Sequence, residues 1–102
     1  MRVTPMQLSR LRAAAARHFG PQARLWLFGS RLDDTARGGD YDVYLESNET
    51  DPHALVESRL AMLAELHATP EFEDERIDLV VRRRSAPEHP IHRVARESGV
   101  RL

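Results

Sequence analysis

The segment Leu27-Phe28-Gly29-Ser30-Arg31, with nine residues between Ser30 and a second segment, Asp40-Tyr41-Asp42-Val43-Tyr44-Leu45, constrains this chain more than any other feature. An apolar run stops at Gly-Ser, a short polar loop follows, and a new apolar run begins on two aspartates spaced two apart. Residues i and i+2 of a β-strand point to the same face. Asp40 and Asp42 are therefore expected to project together, opposite a glycine-serine turn. That arrangement suits a divalent cation and phosphate.

The rest of the chain frames this pair with alternating helices and strands. Thr4-Pro5-Met6-Gln7 is a helix start: Thr4 caps, Pro5 takes the first helical position and Gln7 completes a capping box. Leu8, Leu11, Ala15 and Phe19 recur at helical spacing, and Gly20-Pro21 ends the helix. Leu25 to Phe28 is a buried strand, Ser30 to about Ala36 a brief helix, Arg37-Gly38-Gly39 a loop, and Tyr41 to Glu46 a second strand. Asp51-Pro52 starts another helix. Its stripe is Val56, Leu60, Leu63 and His67, widened by Leu55, Met62 and Leu66, with His67 expected partly buried. Ile77 to Val81 is a third strand, rich in branched residues, and Ile91 to Ser98 a last helix stopped by Gly99. With 102 residues and no linker or repeat, the expected fold is one domain, α/β (α+β), with a small mixed sheet flanked by helices.

Composition removes several function classes. There is no cysteine, so a disulfide scaffold and a Cys-type zinc site are excluded. The formal net charge is −1, which does not suit a protein that coats nucleic acid or binds a membrane surface. No apolar run approaches the roughly 18 residues of a membrane span, and Arg10, Arg12 and Arg17 interrupt any leader-like block. The expected location is the cytoplasm. All 15 basic residues are arginine. That bias reads first as a GC-rich genome, and it also removes lysine-dependent phosphate loops and Schiff-base chemistry.

Asp78 is the third carboxylate. It sits inside the apolar strand, where an unpaired charge is costly. A neighbouring cation would relieve that cost, and if this strand pairs with the Asp42 strand, three carboxylates converge. Gly29 lets backbone approach a ligand, Ser30 offers a hydroxyl and free N–H groups at a helix start, and Arg31 offers forked donors to phosphate or carboxylate. Taken singly each piece is ordinary. Gly-Ser is usually a turn, Asp-x-Asp a solvated strand end, and Asp78 a partner for Arg76 or Arg82. Together they must be three independent coincidences or one site.

These residues resemble the minimal nucleotidyltransferases (MNT) of the DNA polymerase β superfamily. The family's signature is an apolar residue followed by Gly-Ser, then a loop, then Asp-x-Asp, with a later carboxylate on another strand. Here it reads Phe28-Gly29-Ser30, Asp40-Tyr41-Asp42-Val43 and Ile77-Asp78-Leu79. The tail Pro90 to Val100 is similar to the family's final helix and return segment, and Gly38-Gly39 depart from the serine frequent before the first aspartate. The resemblance implies a nucleotidyltransferase fold, with Gly29, Ser30 and Arg31 at the nucleotide. Asp40, Asp42 and Asp78 would be the catalytic, metal-binding carboxylates, holding Mg2+ (two ions during catalysis) with ATP as substrate.

Larger members of that superfamily carry a second domain for the acceptor, and 102 residues leave no room for one. The chain thus resembles the antitoxins of HEPN–MNT toxin–antitoxin pairs. That resemblance implies transfer of AMP from ATP to a tyrosine of a HEPN ribonuclease toxin, in a hetero-oligomer, with no membrane and no direct nucleic-acid binding. The competing readings are an antitoxin that acts by occlusion alone, and a small-molecule nucleotidyltransferase of the antibiotic-modifying kind. His89-Pro90-Ile91-His92 and the acidic run Glu71 to Glu75 are expected as surface loops, the latter facing solvent or a basic toxin, and Trp26 as core. Arg82-Arg83-Arg84 is expected as a solvated strand end, with ATP phosphates, an acidic partner or RNA as the functional alternative.

Overall fold

Apolar strands, one of them buried on both faces, and three helices generate layers on the two faces of one sheet. A computed structural model describes residues 1–102. Helix α1 (Pro5–Phe19) leads into β1 (Arg24–Phe28), a 3-10 turn (Gly29–Leu32) and β2 (Tyr41–Ser47). Helix α2 (Pro52–His67), β3 (Ile77–Arg83), α3 (Pro90–Ser98) and β4 (Val100–Arg101) follow. The strand order is β3-β2-β1-β4, with β1 antiparallel to both β2 and β4, and β2 parallel to β3. The fold is a small mixed α+β domain. No helix is long and apolar enough to cross a membrane.

The helix starts follow their capping residues. The Gln7 N–H donates to Thr4 Oγ1 and the Thr4 N–H to Gln7 Oε1, each at 3.0 Å, so two otherwise orphan donors are satisfied. The His53 N–H donates to Asp51 Oδ1 at 3.0 Å at the head of α2.

Strand alternation sorts the side chains. Leu25, Leu27, Tyr41, Val43, Leu45 and Leu79 face the main core, which Leu11, Ala14 and Ala15 of α1, Met62 and Leu66 of α2, and Phe72 complete. Trp26, Phe28, Tyr44 and Val80 face the other way and pack on Ala95 of α3. Helix α3 packs on this second face. Its first turn stacks His92 on Tyr44, with centroids 5.5 Å apart, and its end brings Gly99 against Phe28. The corner over Asp42 and Asp78 is left uncovered, both residues retaining solvent access.

Five expectations are corrected. Val56 and Leu60 are each 58% exposed, because α2 turns Met62 and Leu66 to the core and Leu60 lies about 200° from Met62 around the helix. His67, at the end of that stripe, is exposed and bonds Glu75 C=O at 3.1 Å. Phe72, within the acidic run, is fully buried and packs edge-on to Tyr41, so that run is anchored at its second residue. His92 is buried rather than on a loop, its Nδ1 accepting the His89 N–H at 3.0 Å as part of the α3 cap. The brief helix after Ser30 shrinks to one 3-10 turn, and a two-residue β4 closes the sheet edge.

Candidate active site

Pairing register builds the site. Phe28 lies opposite Asp42, and Asp42 lies beside Asp78 on the parallel neighbour. A single row therefore runs Phe28–Asp42–Asp78 across three strands. The Gly29-Ser30 turn opens at one end, and Asp40, one residue before β2, is near enough for its charge to act on Asp42. The row faces away from α1 and α2; α3 covers Phe28 and leaves Asp42 and Asp78 at the open corner.

Gly29 is required at that corner for two reasons. Its φ is +79°, a left-handed value that L side chains rarely adopt. A Cβ there would lie 3.0 Å from Asp42 Cγ and collide with the carboxylate oxygen. The turn thus lies flush against Asp42. Ser30 is exposed, and its Oγ would sit 2.5 Å from a Cβ placed on Gly39, so Gly39 (φ +91°) likewise permits a close approach. No side chain caps the start of the 3-10 turn at Phe28.

The electrostatics are those of crowded like charges. The Asp42 carboxyl is pushed above its usual range, first by burial and then by the charges of Asp78 and Asp40. Asp40 is half exposed, with Arg76 Nε at 4.0 Å and the Arg76 side chain almost fully in solvent. Asp78 is exposed, contrary to the burial expected from its apolar strand. The physical reason is that α3 packs on Phe28 and Tyr44 and does not reach over Asp78. Neither arginine weighed as a partner reaches it: Arg76 is near Asp40, and Arg82 pairs with Glu46 at 3.3 Å. In this conformation no three acidic or histidine side chains form a closed ion-coordinating cluster. The chemistry of the donor set nevertheless fits Mg2+: oxygen donors only, held in register, with the central one destabilised by its neighbours' charge and its flank kept clear by a glycine.

Arg31 is held by carbonyls and a carboxylate of the fold itself. Its Nε and Nη2 donate to Gly39 C=O at 3.2 and 3.0 Å, its Nη1 to Arg2 C=O at 3.5 Å, and its Nη2 is 3.6 Å from Glu75. The guanidinium stacks on the Tyr41 ring at 3.9 Å. Tyr41 faces the main core, so Arg31 lies behind the carboxylate row.

A second polar group lies further along the same face. The Tyr44 hydroxyl donates to Glu46 Oε2 at 2.8 Å, and burial pushes the phenol up to about 12. Arg82 bonds Glu46 and Ala86 C=O, so this member of the arginine run is partly buried and committed within the fold. Sequence reading missed Arg2 and Glu75 as neighbours of the site. Only the Gly38-Gly39 pair carried a signal, as a place of close backbone approach.

Fold and site together define a small mixed α+β domain with an in-register acidic row beside a glycine-serine turn. No protein-family model matches the chain, and no curated protein matches it.

Proposed function

We propose that this chain is a Mg2+-dependent nucleotidyltransferase that moves AMP from ATP to a tyrosine of a HEPN-type ribonuclease partner and so neutralises it. The observation that carries the reading is the Asp42–Asp78 register beside Gly29, whose missing side chain keeps the Asp42 carboxylate reachable. In the reaction the acceptor hydroxyl attacks the α-phosphorus of ATP, its proton passes to a base, and pyrophosphate leaves. Such a transfer needs positioning and charge neutralisation above all. Asp40 and Asp42 would hold the Mg2+ ions, which when bound neutralise developing charge on the phosphates. Asp78 is the carboxylate suited to the acceptor's proton, because it is more exposed than Asp42 and, unlike Asp40, has no arginine beside it. Gly29 and Ser30 supply N–H and hydroxyl donors to the triphosphate.

A partner protein fits the architecture, since the corner is open and nothing in the chain closes over it. Purified protein, Mg2+, labelled ATP and the product of the neighbouring gene provide the test. Label is expected on the partner and is expected to disappear with Asp40→Ala or Asp42→Ala. If wild type and both variants rescue growth equally and no label moves, occlusion without catalysis replaces this reading.

A further inference from the structure

We infer that Arg31 is a positioning residue, the hub of a clamp behind the candidate site that sets where all three carboxylates stand. The inference rests on the proposed reading of the site for its catalytic consequence, and on geometry alone for the clamp.

Asp40 follows two glycines with positive φ, Gly38 at +61° and Gly39 at +91°. Such backbone has wide conformational freedom, so a carboxylate attached to it is poorly placed unless the loop is anchored. Arg31 is the anchor. Two of its nitrogens converge on the Gly39 carbonyl, one residue before Asp40. Its plane stacks on Tyr41, the residue between Asp40 and Asp42. Tyr41 is itself held: its hydroxyl accepts from Gln7 Nε2 at 2.9 Å and its ring meets Phe72 edge-on at 5.3 Å. The ion pair with Glu75 reaches the segment that leads into Asp78. One guanidinium thus touches the approach to each carboxylate.

Arg2 completes the clamp from the other side. Its N–H donates to Arg31 C=O at 2.7 Å, while its Nε and Nη2 donate to Asp33 C=O and Ser30 C=O at 2.8 and 2.9 Å. These bonds draw the carbonyls of the Gly-Ser turn to the rear. The Arg31 side chain keeps only 13% of its accessible surface. The planar fork supplies the stack and the paired donors, and lysine would keep only the charge that faces Glu75.

The test uses the full chain and Arg31→Met, Arg31→Lys, Arg2→Ala and Glu75→Gln. Backbone hydrogen exchange over residues 33–41 is expected to speed up in Arg31→Met and to be partly restored in Arg31→Lys. In the transfer assay, kcat of Arg31→Met is expected to fall on the order of 10- to 100-fold through misplacement of the acidic groups. KM for ATP should move by less than about threefold, with partial recovery in Arg31→Lys. If Arg31→Met does not fold, the same exchange and kinetic shifts, smaller in size, are expected of Arg2→Ala and Glu75→Gln. Unchanged exchange overturns the clamp, and a raised KM with kcat retained overturns it in favour of direct phosphate contact. The exchange measurement needs neither ATP nor partner. A wild type that transfers no AMP therefore defeats the proposed function and leaves the clamp to be judged by exchange.

Discussion

Gly29 lies against Asp42 so closely that a methyl group at residue 29 would strike the carboxylate. The contact follows from two local facts: β1 ends opposite Asp42, and the chain then turns through a left-handed φ. Gly29→Ala is expected to destabilise the fold by about 1–3 kcal/mol through backbone strain alone. It should also abolish AMP transfer by displacing the central acid. Urea unfolding measures the first effect, and the transfer assay at saturating ATP measures the second.

Asp42 carries the opposite kind of cost. Its folded carboxyl titrates above the unfolded one, so the charged form disfavours folding. The sign follows: stability is greatest below the ordinary carboxylate range and is lost as pH rises through the raised folded value. Asp42→Asn should therefore raise Tm at pH 7 and have little effect at pH 3. Mg2+ should raise the Tm of wild type more than that of Asp42→Asn. Thermal melts across pH, with and without Mg2+, show both.

His92 is expected to act with the reverse sign. Its pKa is lowered from 6.5, first by burial and then by the charges of His89 and Arg82. Stability from neutral His92 is present above the unfolded value and is lost as pH falls through the depressed folded one. Protonation would also remove the Nδ1 acceptor that caps α3. His92→Phe should flatten the stability profile below about pH 6.5, which chemical denaturation at several pH values reads directly.

The α2 helix offers a stability contrast. Leu66→Ala empties a fully buried position and should cost about 2–5 kcal/mol. Leu60→Ala, at an exposed position, should stay within about 0.5 kcal/mol. Equilibrium unfolding of the two variants separates them.

The helix contrast also marks what the amino-acid order could and could not reveal. Strands β1 to β3 and the α1 cap were legible because period, glycine breaks and capping residues act locally. The register of Asp42 with Asp78 was legible only as a condition, since strand pairing is non-local. On α2 apolar residues occur around much of the circumference, so periodicity did not select the buried side. Phe72 was hidden by acidic neighbours. Asp78 looked buried because its strand is apolar, whereas its exposure depends on the path of α3. Arg31 shows the same limit most sharply. Its forked donors suggested phosphate or carboxylate, and only the folded chain brings it to Gly39, Tyr41, Arg2 and the Glu75 carboxylate.

The most direct measurement of the central claim compares ATP labelled at the α-phosphate with ATP labelled at the γ-phosphate, each incubated with Mg2+, this protein and its partner. Nucleotidyl transfer at the Asp40–Asp42–Asp78 row requires label on the partner from α-labelled ATP only, and none from either with Asp42→Asn. Label from γ-labelled ATP alone, or none from either in wild type, would contradict it.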